Sequence, residues 1–106
     1  MTQPDLIFIR RERLNIIVGD KVRGAPDLVI EVLSPSTRAN DLGRKLRLYA
    51  RAGVPFYWVV DPKRRVVRPF TLMGDGYVEG PTLRPGQELS CQLFPGIAID
   101  VATLFA

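Results

Sequence analysis

The chain has 106 residues, of which 46% are apolar and 25% are charged, and this composition is ordinary for one soluble globular domain. No apolar run is long enough to cross a membrane, and the segment from Met1 to Pro4 does not resemble a signal peptide. There is no histidine, and Cys91 is the only cysteine, which excludes an internal disulfide, a histidine base and a structural zinc site. We therefore expect a single cytoplasmic domain, in which any metal is a hard ion held by carboxylates.

The net charge of +4 comes from 15 basic and 11 acidic residues. The basic residues cluster in three places, at Arg10 to Arg13, Arg44 to Arg51 and Lys63 to Arg68. Such clusters are typical of a solvated surface, and they are also compatible with a polyanionic partner such as nucleic acid.

The N-terminal region predicts an antiparallel hairpin. Its first strand covers Asp5 to Leu14 and is prolonged to Val18, because apolar residues that favour strands dominate both ends. Gly19-Asp20 supplies the turn. The second strand covers Asp27 to Leu33, and its nearly continuous apolar run is typical of a strand covered on both faces.

Glu31 interrupts the apolar run of the second strand, and a buried carboxylate is costly unless it is paired or binds a cation. With the turn near Gly19, Asp5 lies across from the Glu31 region, so Asp5 and Glu31 form the better pair of metal ligands. Asp27 shares the face of Glu31, but it lies about 13 Å away along the strand. Asp27 is therefore the second-choice ligand, and its alternative role is to hold loop amides.

The main helix is predicted at Asp41 to Ala52, preceded by capping residues and ended by Gly53. On a helical wheel, one broad face contains Leu42, Leu46, Leu48, Tyr49, Ala50 and Ala52, and the opposite side contains Arg44, Arg47 and Arg51. Lys45 falls inside the apolar arc. It either pairs with Asp41 one turn earlier or directs its charge at the carboxylates of the neighbouring strand.

The C-terminal half predicts further hairpins. The predicted elements are a strand at Phe56–Val60 ended by Asp61-Pro62, a returning strand at Val66–Leu72, a turn at Gly74–Gly76, a short strand near Leu89–Leu93 and a helical turn at Val101–Phe105. Pro69 in the returning strand indicates the edge of a sheet. We expect Tyr49 to be a core residue and Asp61 to be a turn residue.

The order of these elements resembles the Uma2 family of restriction-type endonucleases, a branch of the PD-(D/E)XK nuclease superfamily. The resemblance is carried by Pro4–Ile9, by PDLVIEVLSPST at Pro26–Thr37, by Asp41 with Lys45 and Tyr49, by ARAGVPFYWVVDP at Ala50–Pro62, and by Leu93–Gly96. It implies a restriction-endonuclease-like α/β (α+β) fold over one domain, residues 1–106. Such a fold has a central mixed sheet, one main helix at about 40–52 and C-terminal β-hairpins.

The resemblance also implies a function, the Mg²⁺- or Mn²⁺-dependent hydrolysis of DNA phosphodiester bonds. Asp5 then corresponds to the motif aspartate and Glu31 to the second acid, and both are expected to hold the metal. Leu33 stands where the motif lysine belongs, and Lys45 is the substitute. The helix arginines Arg44, Arg47 and Arg51 are candidate DNA contacts.

An alternative is a catalytically inactive nuclease-fold module that acts in homodimer assembly or in non-cleaving nucleic-acid binding. The family resemblance implies a longer N-terminal part than this chain has, so we expect a truncated relative with uncovered apolar sheet surface. A homodimer would bury that surface. In this alternative Glu31 and Lys45 form a buried ion pair that requires no metal.

Overall fold

The computed structural model describes residues 6–19, 21–22, 24–33, 39–91, 93 and 95–105. The strands are β1 (Leu6–Phe8), β2 (Ile17–Val18), β3 (Lys21–Val22), β4 (Leu28–Val32), β5 (Phe56–Asp61), β6 (Val66–Met73), β7 (Gly76–Glu79), β8 (Glu88–Leu89) and β9 (Ile99–Asp100). The helix α1 spans Ala39–Ala52, and 3-10 helices lie at Arg11–Ile16 and Val101–Phe105. Among the described residues, no helix has the length and apolar character needed to cross a membrane.

Five strands form the central sheet in the order β1-β4-β5-β6-β7. β4 and β5 are parallel and are joined by α1, whereas the other neighbouring pairs are antiparallel. The predicted mixed sheet with one main helix is therefore confirmed. The pairs β2–β3 and β8–β9 are separate two-stranded sheets.

The N-terminal hairpin differs from the prediction in its middle. The turn at Gly19 and the antiparallel pairing of β1 with β4 are confirmed. However, Arg11–Ile16 is a 3-10 helix, so the prediction of one strand to Leu14 and onward was wrong. The physical reason is that this segment lacks the apolar alternation of a strand, and the helical turn brings Arg13 back onto Asp27.

Buried clusters lie on both faces of the sheet. Alternate side chains of β4 and β5 point to opposite faces, so each strand contributes to both clusters. On the α1 side the buried cluster contains Val29, Tyr49, Val54, Tyr57, Val59 and Phe70. On the other side Leu28, Trp58 and Val67 pack with Leu89 and Val101 of the C-terminal segment. The interrupted apolar run of β4 thus supplies side chains to two separate cores.

The predicted end of α1 at Gly53 is confirmed. The N–H of Gly53 donates to the carbonyl oxygen of Ala50, and that of Val54 donates to Tyr49, both at 3.1 Å, while Gly53 has a φ of +81°. These bonds form a Schellman motif, for which glycine is the favoured residue. The predicted apolar face of α1 was too wide, since Leu48 is 43% exposed and Ala52 is also exposed. The helix packs on the sheet through a narrower stripe.

Two predictions for the C-terminal half were wrong in detail. Pro69 lies in β6, which has β5 and β7 on either side, so it does not mark a sheet edge. Its carbonyl oxygen accepts the N–H of Gly80 at 2.8 Å, and Gly80 is the first residue beyond β7, so the missing N–H of the proline falls at the end of that ladder. The short strand lies at Glu88–Leu89 rather than continuing toward Leu93, because only these two residues pair with β9. The final turn at Val101–Phe105 is confirmed as a 3-10 helix.

Candidate active site

Glu31 lies on β4 and faces α1, beside the apolar cluster on that side of the sheet. The side chain is almost completely buried, since the residue is only 4% exposed. Its neighbour on β5 is Val59, which has no exposed surface. A carboxylate in such surroundings requires polar partners from another element.

Two side chains of α1 supply those partners. Lys45 Nζ lies 2.7 Å from Glu31 Oε2, and the Tyr49 hydroxyl donates to Glu31 Oε1 at 3.0 Å. Lys45 and Tyr49 are four residues apart, so they project from the same side of the helix one turn apart. Each oxygen of the carboxylate therefore receives one donor from the helix.

The predicted inward direction of Lys45 is what the structure shows. Its side chain is 23% exposed, and its ammonium group contacts Glu31 at the sheet surface. The side chain of Asp41, the alternative partner, lies outside the described part of the chain. Tyr49 was predicted to be a core residue only, and its contact with Glu31 was missed, although its spacing from Lys45 was a usable signal.

The carboxylate of Glu31 retains capacity for further ligands. Its two oxygens together offer about four lone-pair positions, and the two donors of α1 occupy one on each oxygen. Mg²⁺ is commonly held by one or two protein carboxylates, with water and substrate oxygens completing its shell. The chemistry of Glu31 thus suits a hard cation.

Asp5, the predicted partner of Glu31 in metal binding, lies outside the described residues. The first described residue of β1 is Leu6, which pairs with Ile30, the residue before Glu31. Within the ranges that the structure describes, no three or more carboxylate, cysteine or histidine side chains gather as a ready metal site. Of the two first-choice metal ligands, Asp5 and Glu31, the structure therefore describes Glu31 alone.

Asp27 is also buried, with 5% exposure, but its partners come from the N-terminal loop. The Arg10 N–H donates to Asp27 Oδ2 at 2.8 Å, and Arg13 Nη1 donates to Oδ1 at 2.7 Å. A second nitrogen of Arg13 donates to the carbonyl oxygen of Ala25 at 2.9 Å. Asp27 thus holds a loop amide, as its alternative role predicted, while its role as a metal ligand stays a prediction.

The remaining candidates lie away from Glu31. The helix arginines Arg44, Arg47 and Arg51 are exposed, whereas Lys45 and Tyr49 face the sheet. Asp61 is the last residue of β5, and it accepts the N–H of Arg64 at 3.1 Å, which confirms its predicted role at the turn that ends this strand.

The Uma2 family model, described as "Putative restriction endonuclease", matches residues 1–102, so this chain belongs to the Uma2 family. The description of the family is that of a nuclease.

A solved structure has the same fold. It is the crystal structure of a protein from Anabaena variabilis ATCC 29413, described as "a putative nuclease belonging to DUF820". The two chains superpose with a TM-score of 0.77 at 18% sequence identity, over 98% of this chain and 59% of the other. The present chain thus spans about three fifths of that protein's length. None of the curated proteins compared matches this chain.

Proposed function

We propose that this chain is a metal-dependent endonuclease domain that hydrolyses phosphodiester bonds of DNA. The observation that carries the proposal is the buried contact of Glu31 with Lys45 in a member of the Uma2 family. The proposed hydrolysis uses an acid and a lysine that lie close together, and here the acid comes from β4 and the lysine from α1. The single cysteine fits a protein of the reducing cytoplasm.

In this proposal Glu31 and Asp5 hold a Mg²⁺ or Mn²⁺ ion. When bound, such an ion stabilises charge on the phosphodiester and lowers the pKa of an attacking water. Lys45 and Tyr49 each donate to one oxygen of Glu31 and so hold its carboxylate in place at the sheet surface. The role of Tyr49 is to fix the direction of the carboxylate.

Lys45 has a second task in this proposal. An ammonium group carries three N–H donors, and one of them is directed at Glu31 Oε2. The other two remain for the attacking water or for a phosphate oxygen. The partial exposure of Lys45, at 23%, leaves its ammonium accessible to such a ligand.

The first test is the cleavage of supercoiled plasmid in Mg²⁺ or Mn²⁺ by the wild type, Glu31→Ala and Lys45→Ala. We expect loss of cleavage in both variants. The matched control is Asp75→Ala, which removes a carboxylate from the exposed turn between β6 and β7 and should leave cleavage unchanged. Melting temperatures measured beside each assay separate lost chemistry from lost folding.

A second measurement addresses the metal without requiring activity. A ligand that binds the native state stabilises it by mass action, so Mg²⁺ should raise the melting temperature of the wild type. The increase should disappear in Glu31→Ala and persist in Asp75→Ala. A wild type that neither cleaves plasmid nor responds to Mg²⁺ would contradict the proposal.

A second candidate function is homodimer assembly without cleavage, and the edge strand β1 favours it. All three of its side chains are exposed, with Leu6 at 60%, Ile7 at 41% and Phe8 at 37%. Light scattering gives the molecular mass in solution, and Ile7→Lys should dissociate a dimer that uses this edge. Non-cleaving nucleic-acid binding, the remaining alternative, predicts salt-dependent DNA binding that survives Glu31→Ala.

A further inference from the structure

A cleft rich in arginine lies at the turn between β5 and β6. We call it the arginine cleft, and it is lined by Asp61, Arg64, Val66, Arg68, Thr82 and Arg84. Its volume of about 260 Å³ is below the range of about 300–1,000 Å³ that is usual for pockets of drug-sized ligands. A small charged group is therefore a better match to its size and lining than a large apolar ligand.

The arginine cleft shares a face of the sheet with Glu31. Glu31 pairs with Val59 on β5, and Val59 pairs with Arg68 on β6. Residues directly opposite each other in neighbouring strands project to the same side. Two strand spacings separate the backbones of Glu31 and Arg68, which is about 10 Å.

Arg68 is held in a fixed orientation inside this cleft. Its Nε and Nη2 atoms donate to the two carboxylate oxygens of Glu79 at 2.8 and 3.1 Å. Its guanidinium carbon also lies 5.5 Å from the centre of the Phe70 ring. These contacts use two of the five N–H donors, so the rest of the fork can bind a second oxyanion without new ordering of the side chain.

The other two arginines bring an excess of positive charge. Arg64 is 82% exposed, and its nearest carboxylate is that of Asp61 at 3.9 Å. The guanidinium of Arg84 has no carboxylate partner among the residues that the structure describes. The backbone of Arg84 is nevertheless anchored, because its N–H donates to Gln87 Oε1 at 2.7 Å. Phosphate is the group that such a cluster recognises best.

The helix arginines are less well placed for a ligand at Glu31. Arg44, Arg47 and Arg51 are exposed, whereas Lys45 and Tyr49 approach Glu31 from the inner side of α1. A helix with its side chains is about 10–12 Å across, so α1 itself separates these arginines from the carboxylate. Arg68, by contrast, lies two strands from Glu31 on the same face of the sheet.

We propose that the arginine cleft binds one backbone phosphate of a nucleic-acid strand. A neighbouring phosphodiester of the same strand then lies at Glu31 and Lys45. This inference rests on the proposed function, since it assumes that the strand to be cut lies at Glu31. It assigns strand positioning to Arg64, Arg68 and Arg84 rather than to α1. The contact is with phosphate, so it carries no base preference.

The test compares two double variants that remove the same charge from exposed positions. Arg64→Gln with Arg84→Gln changes the cleft, and Arg47→Gln with Arg51→Gln changes the helix. Binding of a labelled DNA duplex is measured in EDTA over a range of salt concentrations, so that no cleavage occurs. Melting temperatures of both variants should match the wild type, because all four side chains are exposed.

We expect the cleft variant to lose about tenfold or more in affinity and to lower the salt slope by about one, because the cleft holds one phosphate. The helix variant should lose no more than about threefold, the share due to net charge alone. Equal losses in the two variants, or no binding by the wild type, would overturn the inference.

Cleavage measured on the same proteins separates this inference from the proposed function. Cleavage by the wild type, with an unchanged kcat/KM in the cleft variant, would overturn the inference and leave the nuclease reaction standing. DNA binding that depends on the cleft, without cleavage in Mg²⁺ or Mn²⁺, would support the inference as strand binding while the proposed reaction fails.

Discussion

Asp27, which directly precedes β4, and Glu31, which lies within it, are both buried acids, yet they are held in different ways. Asp27 accepts a main-chain N–H of Arg10 and a guanidinium of Arg13, which itself binds the carbonyl oxygen of Ala25. Glu31 accepts only the ends of two side chains of α1 in the contacts described. A main-chain amide cannot move without moving the loop, whereas a lysine can change partners by rotating its side chain.

The comparison separates an acid that ties a loop to the sheet from an acid whose described partners are the ends of two helix side chains. Asp27 ties the 3-10 helix at Arg11–Ile16 to the beginning of β4, which is a structural task. Glu31 has an ammonium group and a hydroxyl as partners, and it lies where two adjacent strands meet the helix. Burial alone does not distinguish the two residues, since their exposed fractions are 5% and 4%.

The largest expected effect is on the pair at Glu31. Lys45→Met removes the only cation bonded to Glu31 among the described contacts, and we expect the free energy of unfolding to fall by about 3 kcal/mol. The double variant Glu31→Gln with Lys45→Met should recover more than half of this loss, because no buried charge is left unpaired. Urea unfolding measures both, and a single-variant loss below about 1 kcal/mol would contradict a desolvated pair.

Asp27→Ala is expected to have the next largest effect. It leaves the Arg10 N–H and the Arg13 guanidinium without their acceptor, which should cost about 2–3 kcal/mol in the free energy of unfolding. Plasmid cleavage per folded molecule should remain that of the wild type. Loss of cleavage well below the melting temperature of this variant would instead establish Asp27 as a metal ligand.

Tyr49→Phe sharpens the comparison at the second oxygen of Glu31. Loss of the hydroxyl should lower the free energy of unfolding by about 1.5 kcal/mol, since its acceptor is charged. The control is Tyr77→Phe, whose hydroxyl donates to the neutral carbonyl oxygen of Val54 at 2.7 Å and should cost about 1 kcal/mol. A larger loss in the Tyr77 variant would show that Tyr49 does not stabilise the carboxylate.

The pH dependence of the free energy of unfolding above pH 10 tests the contribution of Tyr77, the control residue, further. Burial raises the pKa of Tyr77 from 10.0 to about 12. A group whose pKa is raised by folding contributes its full stability below the unfolded value, and the contribution is lost as the pH rises toward the folded value. The wild type should therefore lose stability from pH 10 upward, and Tyr77→Phe should lose less over that window. Equal losses in both proteins would contradict this origin.

The smallest effect is expected at the exposed pair of Glu79 with Arg68, which serves as a reference for the buried acids. The hydrogen bond from Arg68 lowers the pKa of Glu79 below 4.5. A lowered pKa contributes stability above the unfolded value, and this is lost as the pH falls through the folded value. Glu79→Gln should cost less than about 1 kcal/mol at neutral pH. The difference from wild type should shrink well below pH 4.5, and a constant difference would exclude the ion pair as its source.

The contact of Glu31 with Lys45 could be predicted because both residues belong to one local crossover. Strand alternation places Glu31 on one face of β4, and the helical period places Lys45 on the inner side of α1. A helix that follows a buried strand must pack back on the sheet, so the two faces meet. Local signals also correctly predicted a strand at β5 and, through the glycine stop, the end of α1 at Gly53.

The 3-10 helix at Arg11–Ile16 and the partners of Asp27 could not be predicted in this way. The segment has no clear period, and its conformation depends on bonds to a strand that lies more than ten residues further along the chain. The prediction that Pro69 marks a sheet edge was wrong for a similar reason. A proline indicates a missing donor, but only the length of the neighbouring strand shows whether a ladder bond is lost there.

The amino-acid sequence by itself determined the family, the order of strand, helix and strand, and the choice of Glu31 and Lys45. The family follows from a resemblance of motifs, whereas the order of the elements and the choice of these two residues follow from patterns that repeat every 2 or 3.6 residues and are therefore local. Only the tertiary structure decided that Tyr49 completes the contacts of Glu31 and that Asp27 fastens a loop. It also brought Arg68 into the row of Glu31, because the register between strands depends on packing and turn length rather than on any pattern within one strand.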